Sequence, residues 1–330
     1  MYIPWIWLKK HITFPENIRR QMIAKNLTAL GLETEIINEI WQFTPLPNRL
    51  DIFSWWGIAR EINILLNYPL KLPLEDQSKL NHLANHQETN WGEIKVNTDK
   101  CSQIQLLLIQ NVKVQVSPDW IKDYLASNNI TSVNNIIDVA NLVMLETGQP
   151  LHIYDYDRLP SQEIVVRKAL NEEKMTNLKG QLITLSDEDI VISSGKEIIS
   201  LAGIIGSKGT SVNSKTINIL IESAFFDPSS IKKTARRLDF STQASQHFSK
   251  RYNLPFGNYA LTRTIELIKE IYPNKVEKSV ISWAKFTKQE EKIVLISHEF
   301  IEKKLGIKLS SVEVEENLKK LRFYFRTKQL

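Results

Sequence analysis

A chain of 330 residues with 42% hydrophobic and 24% charged content has the make-up of an ordinary globular protein with room for two or three domains. The formal net charge of +5 leaves an anionic partner and a solvated mixed surface both open, because 42 basic residues stand against 37 acidic ones. The single cysteine, Cys101, excludes a disulfide framework and the usual thiolate metal site, and with no signal-peptide pattern and no apolar run of membrane length the expectation is a cytoplasmic protein that touches no membrane.

Residues 1–72 are expected to form a small N-terminal α+β domain. A helix is predicted from about Glu16 to Leu30, starting near Pro15 and ended by Gly31, and a second from about Ser54 to Leu66 with Ser54 as its N-cap. Trp5, Trp7, Trp41, Trp55 and Trp56 crowd this unit. They can stack on nucleic-acid bases, but tryptophans among aliphatics more often form core, and that reading is favoured. Residues 73–97 turn polar and read as a linker. His82 and His86 are four apart but lack further ligands, so they read as solvated and no metal site is expected.

Residues 98–284 read as the main, mixed α/β domain. Strands are predicted at Ile104–Ile109 and Val112–Val116, and a short helix at Pro118–Ser127. Ile136, Ile137, Val139, Leu142, Val143, Met144 and Leu145 then recur at spacings that suit a helix buried on most of its surface, with Asp138 and Asn141 as polar exceptions. Gly148-Gln149-Pro150 stops it, because Gly accepts the left-handed cap and Pro cannot continue the ladder. His152 follows at the exit, with Asp155 and Asp157 behind it. An imidazole there can bind or exchange a proton with a substrate; on spacing alone, a hydrogen-bonded core histidine is the favoured alternative.

Short strands are predicted at Ile164–Ala169, Leu182–Leu185, Ile190–Ile192 and Ile198–Ile204. Gly203, Gly206 and Gly209 recur every third residue, which suits backbone approaching something closely. Ile217, Ile219 and Ile221 alternate as a strand, and Glu222 stands where an apolar residue is expected to end it; a carboxylate there needs a partner or a ligand. The helix at Asp227–Arg237 carries Lys232, Lys233, Arg236 and Arg237, with Lys250 and Arg251 beyond it, a face for phosphates or for plain solvent. Grouped strands flanked by helices argue for an α+β fold. Residues 285–330, with helices near His298–Leu305 and Val312–Leu321, read as the incomplete start of a third domain.

The segments NNIIDVANLVMLETGQPLHIYDYD, LAGIIG, INILIESAFFDP and TARRLDFSTQAS, in that order, resemble the editing module of the bacterial-type phenylalanyl-tRNA synthetase beta subunit. WIWLKKHI, LGLETE and TPLPNRLDIFSWWGIAREI resemble that subunit's earlier signatures, so the resemblance covers most of the chain. It implies hydrolysis of the ester joining tyrosine to the tRNA for phenylalanine, since an apolar synthetic pocket rejects one added hydroxyl poorly. It implies catalytic roles for His152, Asn141 and Thr242, a contact from Glu222 to the tyrosine hydroxyl, and a pocket completed by Gly206, Gly203, Ala244 and Ala140. Lys232, Lys233, Arg236 and Arg237 would face the tRNA. The implied partners are tRNA(Phe) and the synthetase alpha subunit in an alpha2beta2 assembly; the chain itself takes no cofactor, and ATP and Mg2+ belong to the complete alpha–beta enzyme. No ATP-cradling glycine loop appears.

Five departures bear on this. Ala140 stands where the family commonly has threonine, Gly206-Ser207 replaces a double glycine, and Phe248-Ser249-Lys250-Arg251 replaces an acidic-basic-glycine run. The OB-fold tRNA-binding insertion expected between LGLETE and PNR is missing. The family's later domains do not follow residue 330, so the chain is expected to be a fragment of a longer subunit or a shortened form. A structural subunit with a weakened editing site, or a free-standing RNA-binding or trans-editing protein, are the alternatives.

Overall fold

The computed structural model describes residues 1–71, 92–250, 259–272, 277–284, 293–321 and 323–326. His82, His86 and Arg251 lie outside the described residues. The N-terminal unit runs β1 (Tyr2–Pro4), α1 (Trp5–His11), α2 (Arg20–Ala29), β2 (Glu33–Ile37), β3 (Ile40–Thr44) and α3 (Trp55–Leu66). Its strands order β1-β3-β2, all antiparallel, with Asn38-Glu39 as a two-residue turn and Asn38 at φ 56°. Ser54 caps α3 by accepting from the Gly57 amide at 3.0 Å. Helix α2 begins at Arg20 rather than near Glu16, because residues 15–18 are spent on a turn closed by the Ile18 amide on the Pro15 carbonyl.

The five tryptophans of this unit are core. None is more than 5% exposed, and Trp5 stacks on Trp41 with ring centroids 5.2 Å apart. This removes base stacking as their role.

Next come β4 (Glu93–Asn97), β5 (Cys101–Gln110), α4 (Asp119–Ala126), α5 (Asn135–Thr147), β6 (Leu151–Asp155), β7 (Glu163–Lys168), β8 (Lys174–Thr176), β9 (Leu182–Thr184), β10 (Ile190–Ser194), β11 (Glu197–Leu201), β12 (Ile205–Gly206), β13 (Ile219–Phe226), α6 (Pro228–Arg237), α7 (Gln243–Phe248), α8 (Ala260–Ile271) and β14 (Glu277–Ala284). Two sheets carry the domain. One has four strands in the order β14-β5-β13-β6, all antiparallel; the other has five in the order β12-β11-β10-β7-β4, with only β4 and β7 parallel. Helices α9 (His298–Leu305) and α10 (Ser311–Lys320) follow, each capped by a serine, Ser297 and Ser310. Helices and strands mix as the α+β expectation requires.

Strand alternation decides what the four-stranded sheet touches. Leu107, Ile109, Ile153, Ile219 and Ile221 point to one face, where α3, α4, α5 and α8 and the N-terminal tryptophans form one continuous core. Ile104, Leu106, Leu108, Tyr154, Leu220 and Ala224 point to the other, against Ile164, Val166, Ile190, Ile192, Ile199 and Leu201 of the five-stranded sheet. The core thus does not divide at residue 72. Across that shared core a buried ion pair ties three elements: Glu146 of α5 accepts from Trp7 Nε1 at 2.8 Å and from Arg263 Nε at 2.6 Å and Nη2 at 3.1 Å.

Three strand expectations are corrected. The strand expected at Ile198–Ile204 stops at Leu201, where a turn closed by the Ile204 amide on the Leu201 carbonyl leads into β12. Val112–Val116 is irregular: Val112 donates to the Ile217 carbonyl, but Gln115 turns to exchange hydrogen bonds with Asn135, and Val116 is 74% exposed, so β-branched residues without a ladder form no strand. Glu222 does not end its strand; β13 runs on through Phe226, and Glu222 lies in the middle of it.

Candidate functional site

Helix α5 sets the site up. Asn134 caps it by accepting from the Ile136 and Ile137 amides at 3.1 and 3.0 Å, and Asp138 in its first turn takes hydrogen bonds from Ser117, Ser132 and the Val133 amide. Gly148 at φ 80° ends it in the left-handed conformation, and three residues later the chain enters edge strand β6. His247 of α7 hydrogen-bonds the Gly148 backbone, so α7 is latched to that turn; burial takes the His247 imidazole down to about 4.

In the register of β6 on β13, His152 and Glu222 are direct partners. Tyr154 lies two residues along on the same face, and its hydroxyl donates to Glu222 Oε2 at 2.5 Å. The Tyr154 and His152 rings meet edge to face at 4.5 Å. From the opposing sheet, Gly206 of β12 faces the imidazole: a Cβ there would lie well under 3.0 Å from His152 Cε1 and Nε2. Gly206 is thus needed for close approach and not for an unusual φ. The exposed Leu178, whose amide donates to the Gly206 carbonyl, stands at the rim.

The electrostatics follow from burial. Desolvation raises Glu222 to about 7, with the Tyr154 hydrogen bond pulling the other way, and desolvation lowers His152 to about 4. Between those values a neutral carboxyl faces a neutral imidazole. The Tyr154 phenol is pushed well above its ordinary range by burial and by the Glu222 charge, and the Cys101 thiol to about 12 by burial first and then by Glu222.

The stability linkage has a definite sign. Glu222 keeps its proton in the fold to about pH 7 but loses it at about 4.5 when unfolded, so stability is lost as pH rises through that window. His152 acts oppositely, contributing stability above 6.5 that is lost as pH falls towards 4. Glu222→Gln leaves the contribution of His152 untouched. It is expected to be more stable than wild type at pH 8.5, by on the order of 3 kcal/mol at most, and about equal to it at pH 5. Thermal unfolding at the two pH values checks this; an advantage of the same size at both refutes the buried-carboxylate account.

The expected site residues separate into groups. His152, Gly206 and Glu222 come together. Thr242 caps α7 by accepting from the Ser245 amide at 3.0 Å and donates to the Ile204 carbonyl at 3.0 Å, so its hydroxyl holds the loop before Gly206. Gly203 packs against Phe226, Ile231 and Phe248, and Ala140 is buried in the helical core on the far face of the four-stranded sheet. The side chain of Asn141 on the half-buried side of α5 has no hydrogen-bond partner among the described residues, and Ala244 is half-buried on α7. On α6, Lys232, Lys233 and Arg236 are exposed with no ion pair among the described residues, whereas Arg237 pairs with the buried Asp189 and is not part of a free basic face. Tyr154 escaped sequence reasoning; the alternation in Leu151-His152-Ile153-Tyr154 was the available signal.

A family model described as a B3/4 domain matches residues 100–273. The phenylalanine–tRNA ligase beta subunit of Staphylococcus haemolyticus (strain JCSC1435) is 35% identical over 298 residues, covering 90% of this chain and 36% of that protein. The beta subunit of Protochlamydia amoebophila (strain UWE25) is 34% identical over 297 residues, with the same two coverages, 90% and 36%. The chain therefore spans 36% of the length of these curated relatives. An N-terminal fragment of the phenylalanyl-tRNA synthetase beta subunit from Pyrococcus horikoshii superposes with a TM-score of 0.43 at 15% identity, covering 97% of this chain and 88% of that one. No helix among the described residues is long and apolar enough to cross a membrane.

Proposed function

The chain belongs to the B3/4-domain family and is a homologue of phenylalanine–tRNA ligase beta subunits across nine-tenths of its length, and from that premise we propose that its own reaction is hydrolysis of tyrosine wrongly esterified to tRNA(Phe). The observation that carries the reading is the Glu222–His152 pair on neighbouring strands, with Gly206 leaving room beside the imidazole. Glu222 Oε2 is taken by Tyr154, and Oε1 has no hydrogen-bond partner among the described residues. A phenolic hydroxyl donating to Oε1 would fill it, and a side chain lacking that hydroxyl would leave a buried acceptor unpaired.

In the reaction, water oxygen bonds to the ester carbonyl carbon, the carbon–oxygen bond to the terminal ribose breaks, and a water proton ends on the ribose oxygen. With an imidazole at about 4, His152 has little proton affinity at neutral pH, so it orients water or ester rather than acting as a strong base. Thr242 acts through the Ile204 carbonyl, as a positioning residue for the Gly206 loop. Work alongside an alpha subunit, where ATP and Mg2+ would be used, and phosphate contacts from Lys232, Lys233 and Arg236 belong to the same proposal.

The test is deacylation of both aminoacyl-tRNAs. Glu222→Ala is expected to slow hydrolysis of tyrosyl-tRNA(Phe) and leave the slow hydrolysis of phenylalanyl-tRNA(Phe) about unchanged, a discrimination loss of about 1–3 kcal/mol. His152→Ala is expected to slow both esters together, because orienting the ester is blind to the ring substituent. Equal slowing of both esters by Glu222→Ala would return that carboxylate to a structural role.

A further inference from the structure

The fold treats the two oxygens of Glu222 differently, and the residue responsible is Tyr154. Its side chain is 0% exposed, its ring is wedged against His152, and its hydroxyl reaches Glu222 Oε2 at 2.5 Å from the adjacent antiparallel strand. Ser200, on the opposing sheet, gives its own hydroxyl to the Ile205 carbonyl at 3.4 Å. The phenol has a single proton to donate, and Glu222 Oε2 receives it. We propose that Tyr154 is a positioning residue that sets substrate discrimination, by reserving Glu222 Oε2 and presenting Oε1 to the phenolic hydroxyl of the substrate side chain. This rests on the ester-hydrolysis reading above.

Among the described residues the groups at Glu222 are few: His152, its partner on β6, and Tyr154 on its carboxylate, with the Cys101 thiol of β5 feeling its charge. No lysine or arginine pairs with Glu222 among the described residues. Its proton balance is therefore burial set against the Tyr154 hydrogen bond. Because Tyr154 fills Oε2, a proton taken up by the carboxyl goes onto Oε1 and turns the oxygen meant for the substrate from an acceptor into a donor. Removing the Tyr154 hydroxyl favours that protonated form and frees the carboxyl to rotate.

Tyr154→Phe keeps the ring and its packing, and the readout is the ratio of tyrosyl- to phenylalanyl-tRNA(Phe) deacylation rates by the full chain across pH 5.5–8.5. The ratio is expected to fall roughly tenfold at pH 7.5, its midpoint to move to higher pH, and phenylalanyl-tRNA hydrolysis to stay as in wild type. In parallel, glutamate 13C-carboxyl NMR, assigned with Glu222→Gln, is expected to show the Glu222 titration moved up in Tyr154→Phe. Equal slowing of both esters, or an unmoved midpoint, overturns the proposal. A wild-type chain that hydrolyses neither ester instead removes the function proposed above, and the carboxyl titration then decides alone whether Tyr154 holds Glu222.

Discussion

Gly206→Ala is expected to slow deacylation of both tyrosyl- and phenylalanyl-tRNA(Phe) by about 100-fold or more, since moving a reacting group by an ångström is enough for such a loss. The methyl group has no room: its carbon would overlap Cε1 and Nε2 of His152, and the ring is hemmed in behind by Tyr154. Gly206 is outside the positive-φ glycines, so alanine adds no backbone strain and the effect isolates the side-chain clash. Overpacking should also cost about 1–3 kcal/mol of stability. Adding His152→Ala to the same chain is expected to restore the stability and not the activity. Wild-type rates in Gly206→Ala would show that the imidazole is free to move and that its position is irrelevant to hydrolysis.

Arg263→Met is expected to be the most destabilising single change considered, at about 3–5 kcal/mol, because it strands a buried carboxylate. Glu146 is 1% exposed and accepts from Arg263 twice and from Trp7 once. Methionine matches the stem of the side chain but leaves one indole N–H to satisfy the charge. Arg263 also reaches Glu266 at 3.1 Å, which in turn accepts from Tyr259 at 2.7 Å, so the loss spreads along α8. Urea unfolding followed by tryptophan fluorescence measures it, with Trp7 and Trp55 reporting from the same core. A loss under about 1 kcal/mol would mean that the pair is dispensable for joining α8 to α5.

Local signals were legible in the sequence, and non-local ones were not. Gly148 marks a helix end because one residue's φ decides it, and Ser54 marks a helix start because one hydroxyl meets one amide. The residues His152, Gly206 and Glu222 stood out one by one, but what brings them together is the pairing of β6 with β13 across about seventy residues and the facing of β12, which no local pattern encodes. Tyr154 looked like one more aromatic until the register put its hydroxyl on Glu222. Val112–Val116 has strand residues but no ladder, since Asn135 intercepts the backbone of Gln115. Thr242 and Ala140 illustrate the converse: a motif fixes a residue type without saying which of its atoms face the pocket.

The turn at Asn38-Glu39 makes the N-terminal sheet an open socket. Ile37 and Ile40 are paired directly, so the chain leaves and re-enters the β2–β3 ladder at one spot, and both turn residues are exposed. A foreign module whose own ends lie close together can be spliced between Asn38 and Glu39 without changing the register of either strand, and added length there costs only logarithmically. The tip is held by the Trp5 amide on the Glu39 carbonyl at 2.8 Å and by Arg20 on the Glu39 carboxylate at 2.7 Å, ties that a graft on the Asn38 side of Glu39 leaves in place. The sheet can therefore carry cargo at this corner while the tryptophan core beneath it stays as it is.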